Sequence, residues 1–136
     1  VAFSNSDGAH ASRPNALLRT LLSFHERGGR LVVLTGRVTF SAAQTLAARL
    51  DAWTSAIFAG EPTGSRVNRY GNEAPFRLPH SGIRGTISSG WNQPVTSRDH
   101  RVWIAPDVPA VLTAKAYFAG EDPVLERALA EVRRLR

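Results

Sequence analysis

The segment RVTFSAAQTLAARLDAW, Arg37 to Trp53, puts a serine where an apolar run, Leu31 to Leu34, gives way to a helical pattern. A serine hydroxyl attacks a carbonyl only when a base removes its proton and donors hold the oxyanion that forms. The first turn of a helix offers backbone N–H groups without partners and the positive end of the helix dipole. Ser41 lies where such donors converge, and the small Ala42 and Ala43 let a substrate carbonyl approach the backbone. A second reading needs no chemistry. Serine is among the best helix N-caps, so Thr39 or Ser41 can be a cap and nothing more, and spacing alone favours the cap.

The elements that must position this serine follow from periodicity. LVVLTG, Leu31 to Gly36, reads as a fully buried strand, and AIFAG, Ala56 to Gly60, as another. Between them Ala43, Leu46, Ala47, Leu50 and Trp53 recur at helical spacing and predict one buried face. Two buried strands joined by a helix make a right-handed crossover unit with parallel pairing. Upstream, Leu17, Leu18, Leu21, Leu22 and His25 predict a helix stopped by Gly28 and Gly29, and VAFSNSDGAHAS a short strand entering a loop around Asn5 to Gly8. Downstream, EPTGSRVNRYGNEAP is expected to be a long loop and FRLPHSGIRGTISSGW a β-hairpin turning at Pro79 to Gly82. VWIAPDVPAVLT reads as an edge strand or surface crossing. Gly120 then ends a short turn, and Asp122 caps a helix with Pro123 at its first position and Val124, Leu125, Leu129 and Val132 on the buried side.

A length of 136 residues fits one domain spanning 1–136, and 43% hydrophobic with 21% charged residues fits a globular one. The net charge of +6 raises nucleic acid as a partner, but composition argues against it. Lys115 is the sole lysine, every other basic residue is arginine, and the densest cluster, Arg127, Arg133, Arg134 and Arg136, reads as a solvated helix end. Cysteine is absent, which excludes disulfides and thiolate metal sites, and the histidines have no metal spacing with Asp or Glu, so neither metal nor cofactor is expected. No apolar run reaches the length of a membrane span. Methionine is absent even at position 1, so the chain is expected to be a piece of a longer one.

Four segments in order, VVLTGRVTFSAAQTLAARL, FAGEPTGSRVNRYG, FRLPHSGIRG and WIAPDVPAVLTAKAYFAGEDPVLERAL, resemble the tail-specific (C-terminal processing) serine peptidase family, which includes the tricorn core protease. The resemblance runs from about Gly29 onward and matches the C-terminal half of that peptidase domain. It implies an α/β domain of crotonase/ClpP-like β-α-β superhelix type with an added β-hairpin. It also implies that Ser41 is the nucleophile, that the Ala42 amide is an oxyanion donor, and that the glycine-rich turn SNSDGAH supplies a second donor at Gly8. The implied substrate is a peptide or protein. Exported or periplasmic location, and association with an N-terminal region or with further copies, follow from the same resemblance.

The departures from the family matter too. Many members carry a lysine base where this chain has Arg66, and a guanidinium stays protonated, so Arg66 cannot take the serine proton. The tricorn-like branch uses an upstream histidine, which would precede Val1, and a carboxylate near SRDHRVWIAPD, where Asp99 is the match with His100 beside it. The glycine-rich turn is replaced by Ser4, Asn5, Ser6 and Asp7. Asn68 and Tyr70 can orient a bound peptide beside Arg66, or tie their own loop. Glu61 is placed to hold a loop through backbone N–H groups. Trp53, Trp91 and Trp103 read as core or rim aromatics. The leading expectation is a serine endopeptidase-like domain forming an acyl-enzyme at Ser41, with its base outside the chain or at His100 with Asp99. The alternative is a catalytically silent module of the same fold that binds an apolar ligand or peptide, and a crotonase-type acyl-CoA enzyme comes last.

Overall fold

A computed structural model of the chain describes residues 13–135. Helix α1 (Arg13–Glu26) follows the leucine spacing and stops where Gly28 adopts φ 83°, which turns the Gly28 and Gly29 amides back to the His25 and Phe24 carbonyls. Strand β1 (Val32–Thr35), helix α2 (Ala42–Trp53) and strand β2 (Ile57–Gly60) form the crossover read from the sequence. The two strands pair in parallel from Val32 opposite Ile57 to Thr35 opposite Gly60. Strands β3 (Arg69–Arg77) and β4 (Arg84–Asn92) make an antiparallel hairpin that is a sheet of its own. The short β5 (Val108–Pro109) joins the free edge of β2, giving the order β1-β2-β5, and the expected edge strand is this one. Helices α3 (Ala114–Ala119) and α4 (Pro123–Arg134) follow.

Side-chain alternation divides the parallel sheet into two faces. Val33 and Phe58 face the core closed by Leu18 of α1, by Leu46, Ala47 and Leu50 of α2, and by Leu31, Val67 and Ile104. On the other face Ala59 is buried while Val32, Leu34 and Ile57 are only half-buried, so β1 is not the fully buried strand expected. The reason is the slim cover supplied by α4. Its Asp122 carboxylate caps Leu125 N at 2.9 Å and Pro123 occupies the first turn, as the sequence predicts. The face it buries, however, runs along Val124, Ala128 and Val132, while Leu125 and Leu129 stay exposed. Gly60, at φ 119°, is required here, because a Cβ would lie 2.2 Å from the Thr35 carbonyl oxygen and 3.1 Å from Val124.

Two further expectations are corrected. Trp53 is 52% exposed and lies outside the core cluster, with the Arg49 guanidinium 5.9 Å from its ring centre. The long loop ends at Asn68, because β3 begins at Arg69 and pairs with β4 from Arg69 opposite Asn92 to Arg77 opposite Arg84, apart from Asn72 at φ 55°. The pair of glycines Gly71 and Gly90 weakens that ladder, and the neighbouring Tyr70–Trp91 pair, edge to face at 4.9 Å, offsets it. Trp91 and Trp103 are rim aromatics, each about half exposed.

If the core lies between α2 and the sheet, Leu50→Ala is expected to destabilise the protein by about 2–5 kcal/mol and Leu129→Ala by under about 1 kcal/mol. Urea unfolding of the two variants measures this, and equal losses would contradict the packing described.

Candidate active site around Ser41

The turn between β1 and α2 is pinned before it reaches the serine. Thr39 is fully buried, its Oγ1 accepts the Gly36 amide at 3.0 Å, and its carbonyl accepts the Gly64 amide at 3.0 Å. A Cβ on Gly64 would lie 2.0 Å from the Arg37 carbonyl oxygen, so the loops leaving β1 and β2 touch backbone to backbone. Thr63 locks the second loop from the other side, donating its amide to Ile104 O at 3.1 Å and accepting Ile104 N at its Oγ1 at 2.9 Å.

On this junction Ser41 takes φ 56° and ψ −120°, a conformation that glycine adopts easily and that costs another residue about 1–3 kcal/mol. Its hydroxyl caps nothing: no side-chain bond reaches the first amides of α2, and Oγ has no partner among the described residues. The Phe40 carbonyl takes the Ala43 and Gln44 amides instead, at 3.2 and 3.4 Å. That leaves the Ala42 amide without a hydrogen-bond partner among the described residues. The Ser41 carbonyl is held by Thr45 N at 3.1 Å, Thr45 Oγ1 at 3.3 Å and the Arg69 guanidinium, which also reaches Thr45 Oγ1 at 3.2 Å. Burial lowers the pKa of Arg69 from its usual value, since the charged form loses hydration.

Ser41 and Ala42 line a cavity of about 610 Å³ whose other walls include Arg49, Arg69, Tyr70, Glu73 and Asn92. A second cavity, about 460 Å³, adjoins it across Phe40, Arg69 and Tyr70, and its walls include Trp91, Arg66, Asn68, Asp99 and His100. The hairpin register explains the division. Arg69, Glu73 and Asn92 share one face of β3–β4 and look toward Ser41, whereas Tyr70 and Trp91 share the other.

The residues singled out from the sequence are therefore divided between two chambers. Gly8, like the rest of SNSDGAH, lies outside the described residues. Arg66, Asn68, Tyr70, Asp99 and His100 meet in the second cavity, and Tyr70 alone of these also borders the first. The Asn68 side chain ties the loop, donating from Nδ2 to Thr96 O at 2.7 Å and Asp99 O at 3.1 Å. Both Asp99 oxygens are engaged by Arg101, whose guanidinium continues to Asp51 of α2 at 2.5 Å. Hydrogen bonding to Arg101 holds the Asp99 carboxyl below the usual carboxylate range, and its two carboxylate partners raise Arg101. Glu61 departs from expectation: its carboxylate binds Arg37 Nε at 2.9 Å instead of backbone amides. His25 ties α1 to Gly29 O at 3.2 Å and Ser55 N at 3.4 Å, and His80 is exposed in the hairpin turn. Among the described residues no three acids or histidines group to hold a metal, and no helix is long and apolar enough to cross a membrane.

No family model matches the chain, and no curated protein matches it. Among solved structures it is similar to one described as "Putative S41 protease from Bacteroides fragilis", with a TM-score of 0.51 and 18% identity over 79% of this chain. The chain spans 28% of the length of that structure. The likeness shows a shared fold, a parallel α/β sheet with an antiparallel hairpin.

Sequence reasoning missed Arg49 and Arg69. Thr45 and Arg49 stand four and eight residues after Ser41, so helical spacing puts them on the same side of α2, about one and two turns further along. Arg69 carries no local signal and arrives through β3.

The strained serine predicts that Ser41→Gly raises stability by about 1 kcal/mol while Ser41→Ala does not, as read by chemical denaturation. Asp99 sets a pH dependence of known sign. Its folded pKa is depressed, so its contribution is complete above its unfolded value of about 4 and is lost as pH falls through the folded one. Asp99→Asn should flatten the stability profile in that acid window, and an unchanged profile would contradict the ion pair.

Proposed function

We propose that the chain is part of a serine peptidase-like domain in which Ser41 forms an acyl-enzyme. The observation that carries this reading is the backbone of Ser41, held at φ 56° on the wall of a cavity with its hydroxyl uncapped. A serine kept only as an N-cap adopts an extended conformation and accepts an amide of the first turn. Ser41 does neither.

In this reading Ser41 Oγ attacks the peptide carbonyl carbon, and the electron pair of the C=O bond moves to oxygen, where the Ala42 amide donates. The residual donor is Gly8, from the family resemblance. The proton leaves Oγ for a base and passes to the departing amine as the C–N bond breaks, and water then hydrolyses the ester. The base is His100, aided by Asp99, or a group outside residues 1–136. Arg66 remains charged and serves as a wall of the neighbouring cavity, with Tyr70 at the passage between the two chambers. Asn68 contributes by fixing that wall. The same reading makes residues 1–136 the C-terminal part of a tail-specific peptidase domain of crotonase/ClpP-like architecture, tricorn-like where the base is a histidine outside residues 1–136. It acts on peptides, is exported or periplasmic, and is completed by an N-terminal region or further copies.

A second reading is favoured by the adjoining cavity, whose walls include Phe40, Tyr70 and Trp91. A silent module of this fold would bind an apolar ligand there. Labelling of the intact protein, with any region beyond residues 1–136 present, by a fluorophosphonate and read by peptide mass spectrometry, separates the two. Modification confined to Ser41 and lost in Ser41→Ala is the expected result, and a folded protein that takes no label would replace the peptidase reading with ligand binding.

A further inference from the structure

Among the described residues, neither of the two arginines on the wall of the Ser41 cavity has an acid partner, and both have a guanidinium nitrogen buried without an acceptor. Among the described residues, the acids in ion pairs are Glu61, Asp51, Asp99 and Glu131, and these pair with Arg37, Arg101 and Arg134. Arg49 instead donates to the neutral Asn15 side chain at 3.0 Å, and Arg69 to the Ser41 carbonyl and Thr45 hydroxyl. Arg49 Nε and Arg69 Nη1 are buried with no hydrogen-bond partner among the described residues. Withdrawing guanidinium N–H groups from water without an acceptor is costly, and for a charged group the cost is recovered best by an anion. Glu73 is the one acid on the same wall, and it forms no ion pair with either arginine. Two cations against one acid leave the cavity positive.

We propose that Arg49 and Arg69 form a carboxylate subsite in the Ser41 cavity, so that the peptide bound there carries an anionic group close to the bond presented to Ser41. The inference rests on the peptidase reading for the word peptide, though not for the presence of the subsite. A planar carboxylate suits the site because guanidinium edges donate two parallel bonds to its oxygens, and each guanidinium is already oriented through another of its atoms, Arg69 by Ser41 and Thr45 and Arg49 by Asn15 and the Trp53 ring. The carboxylate belongs either to a peptide C-terminus or to an Asp or Glu side chain. Glu73 tunes the site by opposing the ligand's charge.

The test is binding of three uncharged-sequence decapeptides to the full chain bearing Ser41→Ala, which prevents turnover. One has a free C-terminal carboxylate, one is its C-terminal amide, and one is the amide with a single central Asp. The expected result is that at least one carboxylate peptide binds about tenfold or more tightly than the plain amide, with the advantage fading as salt is raised. The free-acid and Asp peptides identify the source of the carboxylate. In Arg49→Gln the advantage should fall to within about twofold, Arg49→Lys should keep part of it, and Glu73→Gln should increase it. Melting temperature confirms that each variant is folded. Equal binding of all three peptides, or an advantage that survives Arg49→Gln, overturns the subsite and leaves the fluorophosphonate result untouched. A carboxylate preference in a protein that takes no label at Ser41 keeps the subsite and removes the peptidase reading.

Discussion

The contact on which the site depends is between two stretches of backbone. The Arg37 carbonyl occupies the space where a Gly64 Cβ would be, and the Gly64 amide donates to Thr39 O two residues before the serine. Because β1 and β2 are parallel neighbours, the loops leaving their C-terminal ends emerge side by side. Glycine lets them close to a distance that any side chain would prevent. With the turn fixed on that side by Gly64 and anchored inwardly by the buried Thr39, the last residues before α2 have little freedom left. Ser41 absorbs the misfit between strand direction and helix axis by taking a positive φ. Its strain is therefore maintained by neighbours on both strands, as strained residues at functional sites require.

The hairpin has a different role. As a two-stranded sheet it is marginal alone, and its base is tied to the body by the Arg69 guanidinium on the Ser41 carbonyl. That bond reaches across 28 residues and couples the orientation of β3 to the Ser41 turn. Arg101 does the equivalent work behind the second cavity, joining Asp51 on α2 to Asp99 in the return segment. Each wall of the two chambers is thus held by an arginine, and the difference lies in the partner. Arg101 has two carboxylates and is satisfied, whereas Arg69 has a carbonyl and a hydroxyl and retains a buried N–H without an acceptor.

Local physics made much of this legible. The β-α-β crossover, the hairpin and the Asp122–Pro123 helix start rest on periodicity and capping, which act within a few residues. Errors arose where a distant partner decides burial. Leu125 and Leu129 fit an apolar helical stripe, yet the sheet meets Ala128, one step round the helix, because only a small side chain permits the close approach that Gly60 and Val124 define. Trp53 continues the α2 periodicity but occupies its last position, where nothing covers it, and the Arg49 stem shares its surface. At the site, the serine and its alanine were readable because strand end and helix start adjoin in sequence. Arg69 was not, because its role is set by the register of β3 against β4.

The serine itself shows how one residue type carries two opposed meanings. Capping and nucleophilic attack both want a hydroxyl at a helix start, so composition and spacing cannot separate them. Backbone conformation does. A cap needs an extended residue whose Oγ folds back over the first turn, while a reactive hydroxyl must point away from it. At φ 56° the Ser41 side chain makes no cap bond, and the Ala43 and Gln44 amides turn to the Phe40 carbonyl instead. Among the described residues the Ala42 amide is thereby left as a donor without an acceptor, next to a hydroxyl without a partner. The proposed acylation would use both groups, with a carbonyl carbon beside Oγ and its oxygen at the amide.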